Sequence, residues 1–351
     1  MSKRKLSRQQ AFRVQRIQDE RIARAQRRDA AADDLLGSGE LGGEEEGLVT
    51  AHFGTQIEVE ALGGAHAGQV FRCHLRANLE ALVTGDRVIW QAPLATAAAD
   101  SDGPAAIGVV TALLPRASLL VRPDAYGKLK PVAANIDRIL LVISPFPEPS
   151  ALLVDRYLVA CELTGIRPVI VLNKADLITP ELAPGLDALL AQYEAIGYET
   201  RRVSASTGQL QDLSALIGAQ TVVFVGQSGV GKSSIVNVLL PDAAQKVGEI
   251  SGNSKLGQHT TTTARLFHLP GGGLLIDSPG IREFGLWHIG EEQLLAGYVE
   301  FTPFLGTCRF RNCAHREEPG CALKAAVAEG RIAAGRFERF CRLREELKRP
   351  V

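Results

Sequence analysis

No apolar run in the 351-residue chain approaches membrane-spanning length; the longest lie around Ile139–Ile143 and Thr221–Val225. The start is basic and has no apolar core of the secretory kind, and a transit-peptide reading has little beyond its arginines to support it. Both absences point to a cytoplasmic chain with no membrane partner. The six cysteines are not spread as a secreted disulfide framework would spread them, since three of them fall within 308–321 beside a histidine. Net charge is also missing: 39 Lys+Arg balance 39 Asp+Glu.

That zero hides segregation. Residues 1–28 carry ten Lys/Arg against Asp19 and Glu20, and residues 29–46 carry seven acids with no Lys or Arg. Arg309 to Arg349 holds eleven Lys/Arg against six Glu. Basic ends around a balanced middle suit a polyanionic partner, and each run taken singly also fits a solvated helix face.

The segment 1–28 has few large apolar side chains and predicts disorder, and Gly37 to Gly47 reads as a Gly/Glu linker. Beyond it, short strands are expected at Ile57–Ala61, Val70–Leu75, Arg87–Gln91, Ile107–Leu113 and Ser118–Arg122, with a flexible loop from Ala95 to Pro104. Five strands in so short a span predict a small OB-fold barrel. In the second of them, Phe71, Cys73 and Leu75 alternate with Arg72, His74 and Arg76, a core face against a basic one. From Ile136 strands and helices alternate, which predicts a mostly parallel sheet covered on both faces.

The chemistry-bearing motifs sit in this second region. Gly226, Gln227, Ser228, Gly229, Val230, Gly231, Lys232, Ser233 and Ser234 form a phosphate loop between a predicted strand and helix. Its glycines let backbone N–H groups wrap phosphates, Lys232 reaches the β/γ-phosphates and Ser233 holds Mg2+. Asn173, Lys174, Ala175 and Asp176 follow an apolar strand. A carboxylate at Asp176 accepts from guanine N1–H and the exocyclic amine, a pair of donors that adenine lacks. Ser204 and Ala205 fit the remaining base-contacting loop. Asp277-Ser-Pro-Gly280 matches a magnesium and γ-phosphate sensor. Between them, Gly257–Thr263 offers a threonine, Thr261 or Thr262, to complete the Mg2+ shell. Ile281 stands where signalling GTPases keep a water-orienting glutamine, which leaves His259 as the nearest candidate for that task or, equally, for a capping or phosphate-contact role. The order is unusual: the guanine motif precedes the phosphate loop, so the domain reads as circularly permuted.

Cys308, Cys313, His315 and Cys321 supply three thiolates and an imidazole within one loop, the donor set of a closed, structural zinc site; unconnected cysteines are the alternative. Cys73 and Cys161 sit in apolar patterns and read as core, and Cys341 has no assignment.

With these residues in place, the chain resembles the small ribosomal subunit biogenesis GTPases, also called ribosome small subunit-dependent GTPase A. The resemblance rests on Leu82-Val-Thr-Gly-Asp-Arg-Val88, Ala133-Ala-Asn-Ile-Asp137, the permuted motifs, Gln258-His-Thr-Thr-Thr262, Asp277-Ser-Pro-Gly-Ile-Arg-Glu-Phe284 and the Cys/His loop. It implies a multidomain α/β protein with an N-terminal OB-fold β-barrel, a circularly permuted P-loop GTPase domain and a C-terminal zinc-binding helical domain. The expected divisions are a tail and linker over 1–47, the barrel over 48–125, the GTPase domain over 126–293, and the zinc domain with a basic helix over 294–351. It implies a monomer that binds the small ribosomal subunit and its rRNA late in maturation, hydrolyses GTP to GDP under stimulation by the subunit, and leaves. One zinc ion, and Mg2+ with GTP, are the implied cofactors. The long acidic linker and the Ala-rich barrel loop depart from the family pattern. Two other readings start from the same motifs: an RNA-binding assembly chaperone whose nucleotide site only regulates affinity, and a GTPase that delivers metal from the Cys/His loop.

Overall fold

The computed structural model describes residues 32–37, 39–53, 56–76, 79, 81–94, 107–123, 128–241, 264–277 and 289–347. The expectations for the basic tail, the Ala95–Pro104 loop, His259, Thr262 and Gly280 lie outside the described residues. Two compact units emerge, one within Met1–Arg116 and Thr263–Leu266, the other within Ala117–Thr262 and Phe267–Val351.

The first unit is a closed barrel. Its strands are β1 (Leu41–His52), β2 (Gln56–Ala61), β3 (Val70–Leu75), β4 (Arg87–Pro93) and β5 (Gly108–Leu113). β1 pairs with both β2 and β4, β2 with β3, β3 in parallel with β5, and β5 with β4, which closes the ring. Trp90, Val88, Val59, Ile57 and Cys73 are fully buried at its centre. The alternation expected along β3 holds: Cys73 and Leu75 are buried while Arg72 faces solvent.

Two expectations are corrected here. Residues 41–47 belong to β1 and not to a linker. Three successive glutamates give no apolar alternation; this half of the strand is set by pairing with β4, Glu44, Glu45 and Glu46 lying opposite Gln91, Trp90 and Ile89. The barrel's fifth strand is therefore β1. The expected strand at Ser118–Arg122 forms, as β6 (Leu119–Pro123), but it pairs with β7 (Leu129–Ala134) in a separate two-stranded ribbon of the second unit. The Ala133–Asp137 motif explains why. Asn135, in the left-handed region with φ 55°, accepts from Ala117 N–H through Oδ1 at 2.8 Å and donates its own N–H to Ser118 O. Asp137 accepts from Thr221 N–H at 2.7 Å, stitching the ribbon to the sheet that follows.

That sheet is parallel throughout its core: β8 (Arg138–Ile143), β9 (Arg167–Leu172), β10 (Glu199–Arg202), β11 (Thr221–Val225) and β13 (Leu274–Asp277), in the order β10-β9-β8-β11-β13. β12 (Arg265–His268) precedes β13 across the Gly271–Gly273 turn. Helices α1 (Ala151–Thr164), α2 (Ala183–Glu194), α3 (Gln211–Ile217) and α4 (Lys232–Leu239) connect the strands. Apolar runs such as Ile139–Val142 are buried on both faces, as a covered parallel sheet requires.

The C-terminal helices α5 (Glu291–Ala296), α6 (Ala322–Ala328) and α7 (Ala334–Leu347), with a 3-10 segment at Val299–Phe304, pack around Tyr298, Phe301 and Phe340. Val159 of α1 belongs to this same core. A buried ion cluster reinforces the seam. Asp155 of α1, with no exposed surface, accepts from Tyr193 Oη at 2.6 Å, Arg336 Nη1 at 2.6 Å and Arg339 Nε at 2.5 Å. Arg336 also grips Glu300 with two bonds and stacks on Tyr298, 4.4 Å from the ring centre. Removing one partner of such a cluster leaves buried charge uncompensated. Asp155→Asn is therefore expected to destabilise the chain by about 3–5 kcal/mol. Denaturant titration checks it; a midpoint unchanged from wild type removes the cluster from the stability of the seam.

Candidate functional site

In a parallel sheet the C-terminal ends of all strands lie along one edge, and ligands bind in the crevice there. Ser144–Ser150 follows β8, Asn173–Asp176 follows β9, Ser204–Ser206 follows β10, Gly226–Gly231 follows β11, and Asp277 ends β13. The permuted motifs thus converge on one edge of the sheet, whatever their order along the chain.

The phosphate loop is built by close approach. A Cβ on Gly226 (φ 136°) would meet Val142 O at 2.3 Å, and one on Gly231 (φ 94°) would meet Asn173 Nδ2 at 2.3 Å. Lys232 Nζ folds over the loop and donates to Gly226 O at 2.7 Å and Gln227 O at 2.8 Å. Gln227, Ser228, Gly229, Ser233 and Ser234 are exposed, while Val230 is buried in the core beneath and anchors the loop. The result is a cradle open to solvent with a lysine across it, the shape and charge that a polyphosphate needs.

Asn173 joins the loops. Buried at 1% exposure, it donates through Nδ2 to Val230 O at 3.0 Å and accepts from Ala205 N–H at 3.2 Å. Lys174, at φ 59°, donates from Nζ to Gly229 O and Phe146 O, both at 2.6 Å, so its stem spans the space beside the cradle. The Asp176 carboxylate is exposed and accepts from two hydroxyls, Ser204 Oγ on Oδ1 and Ser206 Oγ on Oδ2, the latter at 2.9 Å. These bonds, that from Ser204 first and that from Ser206 next, hold Asp176 below the usual carboxylate range. It stays ionised through neutral pH, in the form that accepts from two donors at once.

The Cys/His loop also assembles. The donor atoms of Cys308, Cys313, His315 and Cys321 all lie within 4.8 Å of one another. His315 Nδ1 sits 3.6 Å from Cys308 Sγ, 3.6 Å from Cys313 Sγ and 3.4 Å from Cys321 Sγ. Tetrahedral zinc with its usual bond lengths puts nitrogen and sulfur about 3.6 Å apart, so the four residues fit the ion. Burial, then the charge of Arg344, holds the His315 pKa below its ordinary value, favouring the neutral imidazole that binds metal. Glu318 braces the turn, accepting from Ala314 N–H at 3.1 Å and Arg316 N–H at 2.7 Å on either side of His315, whose φ is 55°. Cys308 Sγ accepts from Ala322 N–H at 3.3 Å.

The RsgA GTPase family model matches residues 113–287. The chain is 56% identical over 341 residues to the small ribosomal subunit biogenesis GTPase RsgA of Pseudomonas fluorescens Pf-5, covering 97% of this chain and 96% of that protein. With the protein of the same name from Azotobacter vinelandii it is 56% identical over 351 residues, covering 100% and 99%. This chain belongs to the RsgA GTPase family. Among solved structures, YjeQ from Thermotoga maritima superposes with a TM-score of 0.69 at 30% identity, over 88% of this chain and 100% of that one. YloQ, described as a circularly permuted GTPase, superposes at 0.67 and 28% identity, over 88% and 97%.

As an RsgA GTPase the chain hydrolyses GTP on a permuted fold, as the motif order implies. The described residues bring together Asn173–Asp176, Ser204–Ala205, Gly226–Ser234 and Asp277 at one sheet edge, and Cys308, Cys313, His315 and Cys321 in one loop. Ser206, Phe146 and Glu318 take part in these sites without having been foreseen. Ser206 lies two residues beyond an expected contact, which is a usable signal; Phe146 acts through its carbonyl and Glu318 through backbone amides, so side-chain type carries little.

Proposed function

We propose that this protein binds the small ribosomal subunit and its rRNA as the subunit completes maturation, with GTP hydrolysis stimulated by the subunit and coupled to release. The observation that carries this is whole-length similarity to proteins named for small-subunit biogenesis, together with an assembled phosphate cradle and base-side loop. Three modules serve it: the barrel, the permuted GTPase domain of about residues 126–293, and the zinc module from 294 onward. The protein acts as a cytoplasmic monomer with no membrane partner, which suits a factor that must reach and leave a particle; among the described residues no helix is long and apolar enough to cross a membrane.

In the nucleotide site Lys232 holds the β/γ-phosphates, Ser233 with Thr262 and Asp277 holds Mg2+, and Gly280 senses the γ-phosphate. Mg2+ supplies neutralisation of the charge that develops on the phosphates. One zinc ion, held by Cys308, Cys313, His315 and Cys321, supplies folding energy. Co-sedimentation with purified small and large subunits, under GTP analogue and under GDP, tests the reading: binding only to small subunits, stronger with the analogue, is expected, and equal binding to both subunits refutes it.

Guanine is selected by Asp176, oriented by Ser204 and Ser206. Each hydrogen bond to a charged acceptor contributes about 1.5–3 kcal/mol, so Asp176→Asn is expected to weaken GTP by roughly a hundredfold or more. The same variant gains xanthosine nucleotides, because the donor and acceptor pattern is inverted. Competition binding with GTP, ATP and XTP reads both; a wild type that binds ATP as tightly as GTP sinks the assignment.

A further inference from the structure

Arg336, Phe340 and Arg344 follow one another at spacings of four along α7, so they share one face of the helix. The two arginines are buried and yet differ in what surrounds them. Arg336 has no exposed surface and is bound by two carboxylates, Asp155 and Glu300. Arg344 is 4% exposed, and among the described residues no carboxylate forms an ion pair with it. Its guanidinium lies over the Phe340 ring at 5.3 Å. Nη1 donates to the Ala314 carbonyl, which stands between Cys313 and His315. Nη2 lies 3.9 Å from Cys341 Sγ, and Nε is buried with no hydrogen-bond partner among the described residues.

Buried charges are paired or sit against a metal centre, because an isolated one is too costly to keep out of water. Arg344 is held against the Cys/His loop, and that loop becomes negative once an ion is in place: three thiolates outweigh a dication by one charge. Glu318 adds a carboxylate to the same loop, but its oxygens are taken by the amides of Ala314 and Arg316. Arg316 and Lys324, the neighbouring cations, are exposed and pair with Glu345 and Glu317. Arg344 is thus a buried cation whose nearest structural partner is the loop itself.

We propose that Arg344 is the counter-ion of the metal centre: its guanidinium, anchored through the Ala314 carbonyl, offsets the negative charge that three thiolates leave on a bound dication. The proposal rests on the reading of Cys308, Cys313, His315 and Cys321 as a zinc site. Groups just beyond the ligands change metal affinity by about 10–100-fold when they are removed. Here the effect is one of charge, and its sign depends on the ion. With zinc bound, the cation stabilises the thiolate cluster. With the loop empty, free thiols are mostly protonated at pH 7, and the same cation is a buried charge without a partner.

The test compares Arg344→Met, which keeps an unbranched stem and removes the charge, with Arg344→Lys, which keeps the charge and loses the planar fork. Full-length proteins are studied zinc-loaded and metal-stripped, under reducing conditions at pH 7. Zinc retention is titrated against a competing chelator, and both forms are melted. R344M is expected to hold zinc about 10–100-fold more weakly than wild type. Its loaded form should melt lower than loaded wild type, and its stripped form at or above stripped wild type. R344K is expected to keep most of the affinity. An arginine that only packs α7 destabilises both forms alike and leaves zinc affinity unchanged, and that result overturns the proposal. So does R344K holding zinc as weakly as R344M, which assigns the effect to the fork and not to charge. If R344M fails to fold, Arg344→Gln reads the same quantities. Metal analysis separates the proposal from the reading beneath it. A wild type that takes up no zinc overturns both, whereas a zinc-loaded wild type beside an R344M of equal affinity overturns the proposal alone.

Discussion

A Cys313→Ala variant is expected to lose its zinc and to destabilise more than the loop that holds it. Structural zinc sites bind with roughly 10–16 kcal/mol, and where no preformed site exists in the unfolded chain that energy is folding energy. Here it supports a turn that is otherwise unfavourable: His315 sits at φ 55° with its flanking amides held by Glu318. Cys321 is buried at the start of α6 and belongs to the aromatic core of Tyr298, Phe301 and Phe340. Losing the ion loosens α6 and then this core. The core includes Val159 of α1, and Asp155 on the same helix depends on Arg336 and Arg339 of α7. A hinge-linked zinc module would melt alone and leave the GTPase domain intact. The shared core predicts the contrary: the variant, or the wild type stripped by chelator, melts at lower temperature in one transition that also releases bound nucleotide. Metal analysis of protein purified without chelator, with calorimetry on both samples, reads the outcome. A zinc-free wild type refutes the site, and a separate C-terminal transition refutes the shared core.

The chemistry was more legible in the sequence than the architecture around it, for a physical reason. Phosphate wrapping demands glycines at Gly226 and Gly231, because a Cβ there strikes Val142 O or Asn173 Nδ2. The proposed zinc site needs three thiolates and an imidazole, which Cys308, Cys313, His315 and Cys321 supply within that loop. Such constraints are local and fix residue type. β1 is the opposite case: its acidic half has no strand pattern of its own and is held by pairing with β4, while β2 pairs with the strand from Gly47 onward. The β6–β7 ribbon has strand-like residues, but Asn135 and Asp137 decide where it pairs. Asp155 and Arg336 are 181 residues apart, as Thr84 and Ala264 are 180 apart, and bonds at that separation leave no periodic trace. Permutation was readable from motif order alone. That the Cys/His loop shares a core with α1 required the fold.

His259→Ala is expected to abolish most of the subunit-stimulated rate. With Ile281 in the place of a water-orienting glutamine, the free protein is expected to hydrolyse GTP slowly, since an aliphatic side chain cannot hold the attacking water. On this reading the subunit is expected to order the chain between Gly257 and Thr263 and to bring His259 toward that water. Completing a site of this kind is worth about 10³–10⁵ in rate in GTPases that receive a group in trans. Ala264 and Arg265, which follow the segment in sequence, are bonded to the barrel. The variant should therefore bind GTP and subunit nearly as the wild type does and turn over at close to the unstimulated rate. If His259 instead contacts phosphate or caps the loop, the pattern reverses: affinity falls and maximal stimulated turnover is kept. Stimulated turnover at saturating GTP, beside equilibrium binding of a fluorescent GTP analogue, separates the two. A variant with wild-type stimulated turnover removes His259 from the mechanism and assigns the water-orienting group to the subunit's own RNA.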